Sequence, residues 1–470
     1  MAENTREIIL DTLLSIEKGE QYSNQLIRAV LDKYNYLDAR DKAFIKRVTE
    51  GTIERQIELD YYLDHFSTVP VRKMKPLVRT LLRMSVYQLL YMDAVPDSAV
   101  CNEACKLAVK RRFGNLRGFV NGVLRNLSRS REQLPMPDEK AEPVRCLSVK
   151  YSMPEWLIGF WLEEYGRKIT ATMLEEIMAV HPVSVRFSTR LSEKERELLK
   201  DQLAQAGAEI REGDYLPYLC RLEHVDNINA LPGFAEGKWT VQDVSSALAV
   251  ELADIKKTDF VLDACAAPGG KSILAAEKAE KVLSRDLSAE KTERIRENAQ
   301  RMQMDNIEIQ EWDARCFDPE KEGKADVVLL DVPCSGLGVM GKKRDIKYHI
   351  TREGMESLHV LQREIVDVCS RYVKPGGTLL YSTCTVNPAE NEAMVRYIAE
   401  ELGFAPVSVE EKLPEALKAQ KRETAALRDA EGKKDGLNAE ERRACIQLLP
   451  GYMAADGFFI AKLQKPLKAD

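Results

Sequence analysis

The stretch from Phe260 to Ser272, Phe-Val-Leu-Asp-Ala-Cys-Ala-Ala-Pro-Gly-Gly-Lys-Ser, most constrains how this chain can fold. An apolar run ends in Asp263, a turn of small residues follows, and a helical pattern begins at Ser272. A strand, a glycine turn and a helix start in this order are typical of an open parallel sheet, where backbone N–H groups can face a ligand. The glycines lack the Cβ atoms that would block this approach. An ordinary strand–helix turn explains the stretch equally well, so the following segments must decide.

Strands and helices alternate after this turn. Four further strands are predicted at residues 281–286, 307–313, 325–334 and 376–385. Such alternation indicates an α/β domain with a doubly wound parallel sheet, similar to a Rossmann fold. Two short apolar runs near the end of the chain predict an antiparallel pair added to this sheet.

The rest of the chain divides into regions of different composition. Residues 1–131 show helical periodicity throughout and predict an all-α bundle. Residues 132–145, with three prolines among charges, predict a linker, and residues 146–235 a small α+β module. Residues 236–470 form the predicted sheet domain, in which the charged stretch at about 410–443 reads as a solvated insertion with some helix.

Composition excludes several classes of protein. A chain of 470 residues is too long for one core, and no apolar run reaches the roughly 18 residues of a membrane span. The polar N-terminus does not resemble a signal peptide, so ten cysteines indicate reduced thiols in a cytoplasmic protein. Because the chain has no Cys-x-x-Cys pair and only five scattered histidines, no metal site is expected, and without an apolar span no membrane partner is expected.

One block of the helical region is strongly basic although the net charge of the chain is −6. Between Lys106 and Arg131 no Asp or Glu occurs. The eight cations are Lys106, Lys110, Arg111, Arg112, Arg117, Arg125, Arg129 and Arg131. Such a block binds phosphates by counterion release, so it predicts contact with RNA, while a solvated helix face is the alternative.

Each of the first four predicted strands ends in or near an acid: Asp263, Asp286, Asp313 and Asp331. Ligands of such sheets bind outside the carboxyl ends of the strands. Asp286 follows the glycine turn by about 20 residues, which suits contact with ribose hydroxyls. The turn itself lacks the Gly-x-Gly-x-x-Gly pattern of nicotinamide dinucleotide sites, which favours an adenosine-type cofactor with a shorter tail, such as S-adenosylmethionine.

Two cysteines follow the last two parallel strands, in Asp331-Val-Pro-Cys334 and Ser382-Thr-Cys384. If these strands are neighbours, both sulfurs face one crevice. A thiolate that adds to C6 of cytosine makes C5 nucleophilic enough to accept a methyl group. A buried structural cysteine is the ordinary alternative for either residue alone. Neither motif contains a histidine, so the group that deprotonates the nucleophile stays open.

Three segments closely resemble the RNA cytosine-C5 methyltransferases: Ala264–Lys271, Asp331–Gly338 and Tyr381–Glu392. In the helical region, Val86–Tyr91 and Phe119–Asn126 resemble a NusB-type RNA-binding domain. The combination resembles the bacterial small-subunit rRNA methyltransferases of the RsmB (Sun/Fmu) type over nearly the whole chain. The resemblance implies methyl transfer from S-adenosyl-L-methionine to C5 of a specific cytosine in 16S rRNA, through a covalent cysteine–C6 adduct.

The resemblance also implies roles for single residues. Cys384 would be the nucleophile, Cys334 would help to release the product, Asp331 would hold the cytosine edge, and Lys271 would support the site. The residues implied to surround the cofactor are Cys265, Ala266, Ala267, Pro268, Gly269, Gly270, Lys271, Asp286, Asp313 and Asp331. The RNA partner would be small-subunit rRNA, either naked or in a partly assembled subunit.

Alternatives remain at this point. The roles of Cys334 and Cys384 could be exchanged, or the same chemistry could act on tRNA. In a different class, the chain would be an RNA-binding or antitermination factor whose sheet does not catalyse, although the presence of Asp331 and both cysteines argues against it. A base whose C6 a sulfur can reach must be unstacked, so an enzyme of this kind requires a single-stranded loop or an opened helix.

Overall fold

The computed structural model describes residues 4–19, 23–225 and 227–467. Contacts within the chain form two compact units: Met1–Glu163 with Lys342–His349, and Glu164–Gly341 with Ile350–Asp470. The four-part domain division expected from the sequence stays a prediction. Within the described ranges, none of the helices is long and apolar enough to span a membrane.

The first unit is helical, as the sequence predicts. Its helices are α1 Thr5–Glu17, α2 Ser23–Lys33, α3 Ala39–Glu54, α4 Gln56–Phe66, α5 Pro76–Tyr91, α6 Asp97–Lys110, α7 Arg117–Arg129 and α8 Pro143–Tyr151. Helix α9, Glu155–Ile177, begins in this unit and is broken at Gly166, whose φ is +78°. Helices α3 and α4 meet at Arg55. Helix α8 begins inside the predicted linker because Pro143 occupies its first turn, where proline is favoured.

A segment from the second half of the chain, Lys342–His349, belongs to the helical unit. The Tyr348 hydroxyl donates to a carbonyl oxygen at the end of α3 at 2.8 Å, and Arg344 pairs with the Glu54 carboxylate at 2.9 Å. Lys347 is buried and donates to the Glu54 carbonyl oxygen at 2.7 Å, and burial lowers its pKa to about 7. Arg344, the last residue of the basic run 342–344 in the sequence, is therefore committed to an intramolecular ion pair.

The second unit begins with a small antiparallel sheet. Its strands are β1 Val183–Phe187, β2 Glu209–Glu212, β3 Leu219–Glu223 and β4 Trp239–Val241, in the order β2-β3-β1-β4. Helix α10, Glu193–Gln205, packs on it through Leu199 and Leu203. Strands β2 and β4, with four and three residues, are too short to give a periodic signal in the sequence.

A mixed sheet with a parallel centre forms the rest of this unit, which confirms the predicted doubly wound class. Its strands are β5 Phe260–Asp263, β6 Lys281–Asp286, β7 Ile307–Glu311, β8 Ala325–Asp331, β9 Val373–Thr383, β10 Ala405–Pro406, β11 Cys445–Leu448 and β12 Phe458–Gln464. The order is β10-β12-β9-β8-β5-β6-β7, with β11 also paired to β12. Strands β5 to β9 are parallel, and β12 adds antiparallel to β9.

The helices of the second half follow the same alternation. They are α11 Val244–Ala253, α12 Gly270–Ala276, α13 Ala289–Arg301, α14 Ile346–His349, α15 Arg352–Cys369, α16 Glu392–Glu400, α17 Glu415–Ala430 and α18 Ala439–Ala444. Of these, α14 lies in the segment assigned to the helical unit. The predicted solvated insertion is more ordered than its composition suggests, because α17 buries Leu417, Thr424 and Arg428.

A buried ion pair joins the two sheets of the second unit. The Arg186 guanidinium in β1 donates to both carboxylate oxygens of Glu277, at 2.9 and 3.0 Å, and both side chains are fully buried. Ser188 and Thr189 donate further hydrogen bonds to the same carboxylate. Glu277 directly follows α12, so this pair holds the helix after the glycine turn against the small sheet.

We expect Glu277→Ala to lower the free energy of unfolding by about 3–5 kcal/mol, because it leaves the Arg186 charge buried without a partner. The double variant Arg186→Met/Glu277→Leu should recover much of this loss, since it buries no charge. Urea unfolding followed by circular dichroism measures both. As a control, Arg294→Ala breaks an exposed pair with Glu290 and should cost only about 0.3–0.5 kcal/mol. An unfolding curve of Glu277→Ala equal to wild type would contradict the role of the pair.

Candidate active site

The two predicted cysteines meet at the carboxyl edge of the parallel sheet. Strand β8 pairs with β9 so that Asp331 lies opposite Ser382. Cys334 follows the end of β8 by three residues and Cys384 follows the end of β9 by one. Their Sγ atoms are 3.2 Å apart, and both residues are partly exposed. Adjacent strand ends thus bring both sulfurs into one crevice, as the sequence predicts for neighbouring strands.

Lys271 and Asp331 form the charged part of this crevice. Lys271 Nζ lies 2.6 Å from Asp331 Oδ2, and the Ser382 hydroxyl donates to Asp331 Oδ1 at 3.0 Å. Burial alone would lower the pKa of Lys271, but attraction to Asp331, with smaller effects of Asp263 and Cys384, raises it above its ordinary value. Lys271 is therefore an ammonium ion, and its charge favours a thiolate at Cys384.

The neighbouring Cys384 affects the protonation of Cys334. The hydrogen bond with Cys384, together with burial, raises the pKa of Cys334 well above its ordinary value. Charges on Glu390 and Asp331 act in the same direction. Because one proton suffices for the S···S hydrogen bond, the pair can hold a thiolate at Cys384 and a thiol at Cys334. This arrangement suits a nucleophile at Cys384.

A pair of glycines fixes the loop after Cys334. The Gly338 N–H donates to the Cys384 carbonyl oxygen at 3.1 Å, and the Gly457 N–H donates to the Gly338 carbonyl oxygen at 2.9 Å. A Cβ atom at Gly338 would lie 1.9 Å from the Gly457 carbonyl oxygen. The two backbones can approach this closely only because neither residue has a side chain.

The residues predicted to surround a cofactor line the edge formed by β5, β6 and β7. In the turn Cys265–Gly270, Gly269 has a φ of +101°, and a Cβ there would lie 3.3 Å from the Ile295 side chain. The Asp286 carboxylate accepts the Ala267 N–H at 2.9 Å and the Lys291 ammonium at 2.9 Å. Asp286 therefore holds the shape of the turn.

The other two strand-end acids have different surroundings. Asp313 lies two residues beyond β7, is partly exposed, and pairs with Arg315 at 2.7 Å. Asp263 is buried and accepts the Ser272 hydroxyl at 2.6 Å, and burial raises its pKa to about 7. It thus braces the start of α12 beneath the crevice surface.

S-adenosylmethionine fits this edge. The carboxylate of the partly exposed Asp313 can accept hydroxyl or amino groups, and Cys265 and Ala267 of the glycine turn are partly exposed at the same edge. A positively charged sulfonium suits an edge that presents carboxylates, including Asp331 next to the cysteines.

Four of the eight cations between Lys106 and Arg131 form ion pairs with acidic side chains of the helical unit. Lys110 pairs with Glu7 at 2.6 Å and Arg111 with Asp11 at 2.6 Å, both acids lying in α1. Lys106 pairs with Glu103, and Arg131 pairs with Asp93. Four arginines remain exposed and form no ion pair with a described residue: Arg112, Arg117, Arg125 and Arg129. The surface open to phosphates is therefore smaller than the sequence count suggests.

In the described ranges one group of side chains has the composition of a metal site. Ligand atoms of Glu209, Glu223 and His224 lie within 4.8 Å of one another on the small sheet. Glu223 pairs with Arg211 at 2.9 Å, and exposed acidic groups of this kind are common without an ion. The expectation that the protein uses no metal stays a prediction.

Sequence reasoning assigned no role to the residues behind the cysteines. Glu390 lies fully buried and accepts hydrogen bonds from Ser335, which follows Cys334. Gln362 in α15 donates to the same carboxylate. The sequence did contain a sign of Glu390: the segment Asn387-Pro-Ala-Glu-Asn391, shortly after the second cysteine motif, has three polar side chains close together.

We expect diamide, which takes two hydrogen atoms from a thiol pair, to form a disulfide between Cys334 and Cys384 faster than between any other pair. Their sulfurs are already in contact at 3.2 Å, whereas a disulfide needs closure to about 2.05 Å. Non-reducing peptide mapping by mass spectrometry measures the product, and Cys334→Ser is the control that must lack it. Preferential cross-linking of other cysteines would contradict the observed geometry.

Comparisons with known proteins identify the family of this chain. Residues 250–464 match the family described as 16S rRNA methyltransferase RsmB/F, and residues 3–129 match the NusB family. A probable ribosomal RNA small subunit methyltransferase B from Bacillus subtilis is 35% identical, with 98% of this chain and 99% of that protein covered. A ribosomal RNA small subunit methyltransferase B from Cronobacter sakazakii is 30% identical, with 96% of each chain covered.

Solved structures share the fold. The crystal structure of PH0851 superposes with a TM-score of 0.76 at 24% identity, covering 99% of this chain and 100% of that one. A structure of NSun6 from Pyrococcus horikoshii with SFG has a TM-score of 0.53 at 19% identity, covering 66% and 98%. Full-length similarity at 35% identity, together with the two family matches, decides the assignment. The chain belongs to the 16S rRNA methyltransferase RsmB/F family and is an S-adenosylmethionine-dependent RNA methyltransferase.

Proposed function

We propose that this enzyme methylates C5 of a specific cytosine in small-subunit rRNA through a covalent bond between Cys384 Sγ and C6 of the base. The observation that supports this most directly is the contact of Cys334 and Cys384 at 3.2 Å beside the Lys271 ammonium. A methyltransferase that acts on oxygen or nitrogen needs no such thiol pair. The names of the relatives from Bacillus subtilis and Cronobacter sakazakii support small-subunit rRNA as the substrate.

Cys384 starts the reaction in this proposal. Its thiolate, favoured by Lys271, adds to C6 and makes C5 behave as an enamine carbon. Asp331 holds the polar edge of the cytosine, since its carboxylate is partly exposed beside both cysteines. S-adenosylmethionine, when bound by the turn Cys265–Lys271 with Asp286, Asp313 and Asp331, supplies an electrophilic methyl group.

Cys334 completes the reaction. When the Cys384 sulfur is bonded to carbon it carries no charge, so the main cause of the raised pKa of Cys334 disappears. Cys334 can then lose its proton to water and take the proton from C5. The electron pair of the C5–H bond forms the C5–C6 double bond, the C6–S bond breaks, and Cys384 leaves as a thiolate. The product is 5-methylcytosine.

The exposed arginines of α7 support binding of RNA by the helical unit. Arg117, Arg125 and Arg129 lie on its solvent side without acidic partners among the described residues. The target cytosine must be unstacked so that a sulfur reaches C6, which requires a loop or an opened helix. We place the enzyme in the cytoplasm, where bacterial rRNA is transcribed and assembled with protein.

The first test is methyl transfer from labelled S-adenosylmethionine to small-subunit rRNA, both naked and in partly assembled subunits. Wild type should produce labelled 5-methylcytosine, and Cys384→Ala should reduce the rate at least about 10³-fold because the covalent route is lost. Chromatography of the digested nucleosides measures the product. Cys316→Ala, which changes an exposed cysteine elsewhere, is the control and should keep the wild-type rate. Methylation by Cys384→Ala at a normal rate, or a label on a different base, would refute the proposal.

The second test separates the roles of the cysteines with RNA that contains 5-fluorocytosine. Fluorine at C5 cannot leave as a proton does, so the covalent complex should persist on a denaturing gel after methyl transfer. We expect Cys334→Ala to form this complex and Cys384→Ala to form less than about a hundredth as much, because only Cys384 attacks C6. The reverse pattern would assign the nucleophile to Cys334.

A further inference from the structure

The two cysteine loops are joined by hydroxyl groups of the residues that follow each cysteine. Ser335 follows Cys334, Thr385 follows Cys384, and their side-chain oxygens are 2.7 Å apart. Both residues are buried, so water does not compete for this hydrogen bond. The distance between the two cysteine loops is therefore fixed in part by this buried hydrogen bond between Ser335 and Thr385.

Glu390 is the acceptor at the centre of this interior network. Its Oε1 accepts from the Ser335 hydroxyl at 2.5 Å and from Asn387 Nδ2 at 2.8 Å. Its Oε2 accepts from the Ser335 N–H at 2.9 Å and from Gln362 Nε2 at 2.8 Å. The side chain is fully buried, and none of these four donors is charged. A buried carboxylate tolerates such surroundings only when its hydrogen bonds are well made, which restricts the position of every donor.

The network holds the chain on both sides of Cys334. Gln362 Nε2 also donates to the Pro333 carbonyl oxygen at 2.8 Å, while Glu390 holds the N–H and the hydroxyl of Ser335. The Ser335 hydroxyl has one hydrogen, which it donates in the hydrogen bond to Glu390. The Thr385 hydroxyl must therefore be the donor in its hydrogen bond with Ser335. The hydrogen bonds therefore run in one direction, from the loop of Cys384 through Ser335 to Glu390.

We propose that Glu390 is a positioning residue that fixes Cys334 against Cys384 for the release of the methylated base. The inference rests on the proposed function, because it assigns Glu390 to the step in which Cys334 takes the C5 proton. Glu390 lies behind the cysteines and acts on the loop of Cys334 through its hydrogen bonds with Ser335 and Gln362.

The two cysteines depend unequally on this carboxylate. Cys384 comes one residue after β9, so the sheet anchors it directly. Cys334 lies three residues beyond β8 in a loop. On one side of it the Pro333 carbonyl oxygen is held by Gln362, and on the other the Ser335 N–H is held by Glu390. Loss of Glu390 should displace Cys334 while Cys384 still attacks C6. The covalent complex then forms and is released slowly.

The variant Glu390→Gln tests the positioning role. Both carboxylate oxygens of Glu390 accept hydrogen bonds, but the amide nitrogen of glutamine can only donate, so one side of the network would place donor against donor. We expect kcat for 5-methylcytosine formation to fall about 10- to 100-fold, as for a misplacement of about 1 Å. KM for RNA and for S-adenosylmethionine should stay within about twofold, since neither ligand touches Glu390. On RNA with ordinary cytosine, the covalent complex should accumulate and be visible on a denaturing gel.

A matched control is Glu392→Gln. Glu392 is a second buried acid two residues along, but its carboxylate faces Arg428 at 3.4 Å and contacts neither cysteine loop through a hydrogen bond. This variant should turn over within about twofold of wild type and accumulate no complex. Thermal unfolding of both variants shows whether each is folded. If Glu390→Gln does not fold, Ser335→Ala replaces it: the hydroxyl link is lost, the main-chain bond remains, and the same accumulation is expected at a smaller size.

The outcomes separate this inference from the proposed function. If wild type makes no 5-methylcytosine and traps no 5-fluorocytosine RNA, the proposed function fails. If wild type is active and the folded Glu390→Gln enzyme keeps its kcat, or loses attack and release together, the positioning role is wrong. If Glu390→Gln does not fold and Ser335→Ala is used in its place, an unchanged kcat of Ser335→Ala, or a joint loss of attack and release, likewise contradicts the positioning role. Accumulation of the complex with unchanged KM values supports the inference.

Discussion

Parallel pairing of β8 with β9 is the constraint on which the site depends. The register places Asp331 opposite Ser382, so the two chains leave the sheet at one edge and the cysteines that follow come into contact. A shift of the pairing by one residue would turn alternate side chains to the opposite face. Buried apolar residues on both strands fix the register, since Leu330 and Tyr381 belong to one core. Hydrophobic packing of β8 and β9 thus fixes the strand register that brings Cys334 and Cys384 into contact.

The two carboxylates near the cysteines differ because their surroundings differ. Asp331 is partly exposed and shares its charge with the Lys271 ammonium, so it can exchange hydrogen-bond partners when a base enters. Glu390 is fully buried and accepts four neutral donors, so any change of partner leaves a polar group unsatisfied. One acid is suited to handle substrate, and the other to hold structure. Because both acids lie near the thiol pair, one crevice combines an exposed, exchangeable carboxylate with a buried, fixed one.

Much of this site could be read from the sequence because strand ends leave strong local signals. An apolar run that stops at an acid located β5, β6 and β8 to within three residues, and the two motifs at Cys334 and Cys384 followed from the same logic. Local patterns fail where the deciding partner is distant. The block from Lys106 to Arg131 contains no acid, yet α1 supplies Glu7 and Asp11 across the bundle. Glu390 was likewise missed because its role depends on Gln362 in another helix.

The protonation of the thiol pair explains why the site needs no histidine. A nucleophilic cysteine usually owes its low pKa to a neighbouring imidazolium or a helix N-terminus. In the proposed reaction Lys271 supplies a fixed positive charge, and Cys334, whose pKa is raised, keeps the proton that can hydrogen-bond a Cys384 thiolate. In the proposed mechanism, bond formation at Cys384 removes the neighbour that raises the pKa of Cys334. Attack as proposed therefore prepares the second thiol for its own step, and the order of the two proposed steps follows from electrostatics, provided that the loop of Cys334 is held within reach of C5.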